Sequence, residues 1–195
     1  MKNRNNAGKA SGTTDQLLKD TFIQIYKNKP LNKISVKEIC STAGLNRGTF
    51  YIHYENIYTL LEEIEEDLLT DLKSLVKIDK LIVYTEKDIP VFIKTIENLI
   101  EYIKLHDTYF KVLLGKNGDA LFIYKIKRII KNNLLIKFRA ENRHFGNLDE
   151  YLLEYIASGN MGIMIYWLET GMKISPGELI GLVTKILFRG PFNIR

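Results

Sequence analysis

Residues 35–54 read SVKEICSTAGLNRGTFYIHY, and this stretch decides the fold. Ser35 stands three residues before Glu38, a spacing at which hydroxyl and carboxylate can cap orphan amides reciprocally, so a helix is predicted to start at Val36. Val36, Ile39, Cys40 and Ala43 then recur at helical spacing. They give one narrow apolar face on a segment too short to be stable alone, so it must pack on neighbours. Gly44 occupies the place of a left-handed C-terminal residue, Leu45 returns to the core, and Asn46 can cap the next helix. Phe50 points inward with Leu45, which leaves Arg47, Gly48, Thr49, Tyr51 and His53 facing a partner as a donor-rich set without an acid. Two short helices meeting at a tight corner are the layout of a helix-turn-helix, whose second helix enters the major groove of DNA.

The charge divides at the same place. Residues 1–55 hold nine Lys and Arg against four Asp and Glu, whereas residues 56–195 hold nineteen of each, so the whole formal +5 belongs to the first segment. Neutralising phosphates releases counterions and dominates nonspecific affinity, so a local positive excess is what a DNA-binding lobe requires. At 195 residues, 46% of them hydrophobic, the chain suits one or two small domains with a real core. Residues 1–12 are polar, basic and rich in Asn and Gly, and read as a disordered basic tail. With no apolar run to serve as a signal peptide or a membrane span, a cytoplasmic location is expected. The single cysteine, Cys40, excludes an internal disulfide framework and sits where a small core residue is wanted.

The rest of the chain is a succession of helices. Thr13 with Gln16 reads as another capping box, followed by an inner stripe of Leu18, Phe22, Ile25 and Tyr26, an end near Asn28, and Pro30 to close it. From Ile57 a longer helix carries Leu60, Leu61, Ile64, Leu68, Leu72 and Leu75, with the acids at 62, 63, 65, 66 and 67 predicted as a solvated flank. The histidines at 53, 106 and 144 share no ligand spacing, so neither metal nor cofactor is expected. Thr85, Asp88 and Pro90 mark another helix start, and the pattern breaks at 106–107. Residues 115–118, GKNG, lack the eight-residue pattern of a phosphate loop and read as a helix connection. A long helix over about 119–141 alternates Phe122, Ile126, Ile129 and Ile130 with Lys125, Lys127, Arg128 and Lys131. Residues 151–167 are apolar nearly all round, Gly171 ends that helix, and Ser175-Pro176-Gly177-Glu178 starts the last one. No nucleophile with a paired base, no apolar carboxylate pair and no cofactor loop is present, so no enzyme and no catalytic residue is expected.

Residues 35–61 resemble the DNA-binding region of the TetR-type bacterial transcriptional regulators. The likeness rests on Val36, Ile39, Ala43, Gly44, Leu45, the run Gly48-Thr49-Phe50-Tyr51, His53, Tyr54, Leu60 and Leu61. It covers roughly the first third of the chain, and the remainder agrees in length and helical texture. The resemblance implies an all-α protein in which residues 13–55 form a three-helix DNA-binding lobe with its helix-turn-helix. Residues 56–195 then form a helical bundle for ligand binding and dimerisation.

By the same resemblance Arg47 and Thr49 approach base edges, while Tyr51, His53, Ser35 and Thr42 contact phosphates; Lys37, Asn46 and Gly48 complete the expected interface. Many members carry a lysine near the start of the following helix, where this chain has Ile57; that phosphate contact is either missing here or supplied by Lys37 or the N-terminal tail. The two terminal helices are expected to pair with those of a second copy, through Tyr155, Gly159, Gly162, Ile163 and Tyr166 on one and Leu179, Leu182, Val183 and Ile186 on the other. Such a dimer reads two major grooves set about 34–36 Å apart on a palindrome. A small-molecule pocket is implied between lobe and interface, with Phe92, Tyr102, His106 and Phe110 as candidate linings, together with Phe122, Tyr155, Met164 and Trp167. The expected partners are double-stranded DNA, a second copy and an unidentified small effector, with no membrane. The function implied is a repressor released by a ligand; a second reading keeps the fold but makes the protein a coactivator working through another regulator.

Overall fold

A computed structural model describes residues 4–76, 89–140 and 146–190, and its regular structure is helical, with no strand among the described residues. The order is α1 (Arg4–Tyr26), a 3-10 turn (Leu31–Lys33), α2 (Val36–Ala43), α3 (Arg47–His53), α4 (Ile57–Leu75), α5 (Ile89–Leu105), α6 (Asp107–Leu113), α7 (Ala120–Ala140), α8 (Asn147–Glu169) and α9 (Pro176–Arg189). Thr85, Asp88, Glu141 and His144 lie outside the described residues. The chain divides into two compact units, residues 1–68 with 116–118 and residues 69–115 with 119–195. The division falls inside α4, beyond the 55/56 boundary that the motif alone suggests, because Leu60, Leu61 and Ile64 belong to the first core.

In the first unit Leu18, Phe22 and Ile23 of α1, Ile39 of α2, Phe50 of α3 and Leu60 and Ile64 of α4 are fully buried. The rings of Phe22 and Tyr26 lie 5.5 Å apart, and those of Phe50 and Tyr54 5.7 Å apart. Truncating a buried phenylalanine such as Phe50 costs about 3–5 kcal/mol.

Two sequence expectations change here. The first helix starts at Arg4, not at a Thr13 cap: Thr13 lies inside α1, and Gln16 donates to Asp20 at 3.0 Å. No proline precedes Pro30, and the helix runs on into the stretch read as a tail in spite of the weak helix formers Asn5, Asn6, Gly8 and Gly12. The acids of α4 are not all solvated either. Glu65 is buried, and Glu63 and Asp67 turn to Lys19 of α1, at 2.9 and 2.7 Å.

In the second unit α8 packs on α7 and α6, and α9 packs on α5. Ile100, Phe110, Leu113, Phe122, Leu153, Trp167 and Leu179 fill the core. The α8–α9 corner is tied by Trp167 Nε1–H donating to the Ile174 carbonyl at 2.9 Å, with Gly171 at φ +74°. Ser175 and Glu178 then form both halves of a capping box around Pro176, at 3.3 and 2.8 Å. The 115–118 segment joins α6 to α7, and a Cβ at Gly115 would meet the Lys111 carbonyl at 2.5 Å.

Candidate nucleic-acid interface and cavity

The corner between α2 and α3 is set by local chemistry. Ser35, extended at φ −128°, accepts from the Glu38 amide at 3.3 Å. The reciprocal half of the expected box is absent, because Lys29 takes the Glu38 carboxylate at 2.6 Å. Gly44 adopts φ +68° and ψ 29°, the left-handed turn that only glycine enters without strain, and the Leu45 amide donates back to the Cys40 carbonyl at 2.9 Å. Asn46 accepts from the Gly48 amide at 2.9 Å and starts α3.

With Phe50 anchored inward, α3 turns Arg47, Gly48, Tyr51 and Ile52 to solvent and leaves Thr49 half-buried. Tyr51 is 58% exposed. Ser35, Lys37, Thr42 and Asn46 are also exposed around the motif. His53 differs, since its side chain is only 14% exposed and Nδ1 lies 4.0 Å from Asp15 Oδ1, so only an edge of the ring remains for a phosphate.

Two residues escaped the sequence reading. Ile52 is 81% exposed, and the signal was available, because it stands two positions past the inward Phe50, about 200° round the helix. Tyr58 is exposed at the start of α4, where the Asn56 side chain accepts from the amides of Tyr58 and Thr59 at 2.8 and 3.1 Å. Ile57, standing where resembling chains carry a lysine, is buried instead.

The positive excess is smaller at the surface than in the composition. Lys29 is paired with Glu38, and Lys19 is buried among Asp15, Glu63 and Asp67 at 3.0, 2.9 and 2.7 Å. Burial alone would lower the Lys19 pKa, but its hydrogen bonds to Asp67, Glu63 and Asp15 outweigh that and hold the ammonium above its ordinary value. Tyr54 shares the cluster by hydrogen-bonding Asp15, and burial together with the two carboxylates pushes its phenol up. Lys27, Lys33, Lys37 and Arg47 remain exposed.

The second unit holds a partly open cavity of about 480 Å³. Phe92, Phe110 and Met164 line it, but Tyr102, His106, Phe122, Tyr155 and Trp167 do not. Tyr102 is drawn outward to Asp71 at 2.8 Å, with the His106 ring 4.5 Å away. Phe122 is core behind Phe110, and Trp167 is committed to the corner carbonyl. Tyr155 stands on the outer face of α8, exposed with Tyr151, Gly159, Gly162 and Tyr166 in one stripe. Of the other residues expected at a dimer interface, Leu179 is 1% exposed inside the unit, and Ile163 and Val183 line the cavity. Leu182 and Ile186 are half-buried. No described helix is long and apolar enough to cross a membrane.

Comparison with known proteins agrees with the helical fold. A TetR-type family profile described as transcriptional regulator C-terminal region matches residues 92–189, half of the chain. An uncharacterized HTH-type transcriptional regulator of Bacillus subtilis (strain 168), YxbF, is 23% identical over 180 residues, covering 90% of this chain and 45% of the relative. The chain thus spans about half the length of that curated relative. Among solved structures, a TetR transcriptional regulator from Streptococcus agalactiae 2603V superposes with a TM-score of 0.65 at 19% identity, over 96% of this chain and 100% of that one. The dihydroxyacetone kinase operon activator DhaS gives 0.59 at 18% identity, over 89% and 93%.

Proposed function

The chain belongs to the TetR-type transcriptional regulators, and from that premise we propose that it is a cytoplasmic repressor that binds a palindromic operator as a homodimer and is released by a small molecule in its cavity. The observation that carries the DNA-binding reading is the outward side of α3, where Arg47, Gly48 and Tyr51 are exposed and the inward Phe50 fixes their direction. Arg47 and Thr49 are assigned to base edges, the former by bidentate donation and the latter through hydroxyl or methyl. Tyr51, Ser35 and Thr42 are assigned to phosphates, with Lys37 and Tyr58 adding to the backbone grip and His53 contributing its exposed edge. Asn46 and Gly48 hold the start of α3 against the duplex. The tyrosine stripe of α8 supports pairing of two copies, because a large exposed apolar stripe marks an interface.

Gel-shift titration against operator and random duplex tests these roles. Arg47→Ala or Thr49→Ala is expected to cost about 1–3 kcal/mol on the operator and little on random DNA. Tyr51→Phe is expected to weaken both alike. Equal losses from all three substitutions would remove the base-reading assignment. Purified protein with no operator preference at all would favour the coactivator reading, in which another regulator supplies the sequence recognition.

A further inference from the structure

We propose that the cavity of the second unit selects an uncharged, largely apolar ligand carrying a single hydrogen-bonding group, and rejects ions of the same size. The inference rests on the reading of this cavity as the effector site. Its lining comes from α4 to α9, and every side chain is aliphatic, aromatic or thioether except Asn133 of α7 and Asn160 of α8. No ionisable group lines it among the described residues. At about 480 Å³ the space lies within the range of small-molecule sites.

An ion placed there would lose its hydration without meeting an opposite charge, a penalty of several kcal/mol even after relaxation. The basic side chains that might have met an anion are engaged elsewhere. Lys127 and Lys131 of α7 both bond Glu154 on the exposed face of α8, and those bonds hold the Glu154 carboxyl down at about 2. The two asparagines supply the polar recognition. Asn160 spends an amide hydrogen on the Ile156 carbonyl at 2.8 Å, which fixes the group and leaves its Oδ1 to accept from a ligand hydroxyl. A neutral alcohol-like or amide-like group matches this lining; a carboxylate finds amide donors and no cation to balance its charge.

Competition binding tests the idea on the purified full chain, with the neutral dye N-phenyl-1-naphthylamine as probe and 1-decanol, decanoate and decylammonium as competitors. Decanol is expected to displace the dye at concentrations at least about tenfold below either ion, a modest share of the unpaired-ion penalty because a chain end can lean toward the mouth. Asn160→Leu is expected to weaken decanol several-fold more than it weakens the dye, with unchanged helical circular dichroism and thermal unfolding showing that the variant is folded. Decanoate or decylammonium competing as well as decanol, or no dye binding at all, would overturn the proposal. Adding each competitor to a preformed DNA complex separates this inference from its premise. Decanol that displaces the dye but leaves the DNA complex intact would sink release by ligand and keep the ligand class.

Discussion

Gly44 shows how much one backbone angle carries. At φ +68° a Cβ is strained, yet a methyl group there would touch nothing within 4 Å, so the cost of Gly44→Ala is conformational alone. It is expected to be about 1–2 kcal/mol, read from thermal or urea unfolding, with Gly44→Asn costing less. A loss above about 3 kcal/mol in the alanine variant would mean that the turn is held by packing. Lys19 makes a different case. As a letter in α1 it is indistinguishable from any surface lysine, because its partners Glu63 and Asp67 stand more than forty residues away. Both Lys19 and Tyr54 hold their proton more tightly folded than unfolded. Their contribution is therefore complete below the ordinary values of 10.5 and 10.0 and is lost above them, as the unfolded chain releases protons that the folded chain keeps. Melting temperature should fall as pH rises beyond about 10, and Lys19→Met should flatten that fall while costing roughly 1–3 kcal/mol at neutral pH, since Glu63 and Asp67 can turn to water. A variant that melts like the parent at both pH values would contradict the cluster's role.

Among the elements, α2 and α3 were legible because every determinant is local: the Ser35 cap, the Gly44 turn, the Asn46 cap and the inward Phe50 lie within sixteen residues of sequence. The start of α1 was not, since a capping pair also occurs inside helices and only the partners of Thr13 and Gln16 in space decide between the two. The cavity was misjudged for a related reason. Of the large aromatics expected to line it, Phe92 and Phe110 do, but Phe122 and Trp167 satisfy the core, and most of the wall comes from aliphatic residues such as Ile96, Ile126 and Ile130, whose spacing looks like ordinary packing. In α8, apolar residues surround the helix, so periodicity could not say which side faces outward; Leu179 of α9, read as interface, proved to be core. The exposed stripe through Tyr151, Tyr155 and Tyr166 now gives that direction. Tyr155→Glu should shift a dimer toward monomer in sedimentation, whereas Tyr124→Glu, at an equally exposed tyrosine on α7, should not. Equal behaviour of the two variants would place the dimer contact elsewhere.

At the scale of the whole molecule, one recognition helix reads only a few base pairs, so specificity has to come from two copies related by symmetry. The basic excess of residues 1–55 adds a sequence-independent grip, and operator affinity should fall by at least about tenfold between 50 and 200 mM salt, with a slope that becomes shallower by about one in Lys37→Ala if Lys37 reaches a phosphate. Selection of bound duplexes from a randomised library, at one fixed salt concentration and with the full chain, tests the central claim most directly. The result expected is an inverted repeat whose half-sites are centred about 34–36 Å apart, or a multiple of one helical turn. A single unrepeated consensus, or no enrichment at all, would contradict the claim that the outer side of α3 enters the major groove twice in a symmetric dimer.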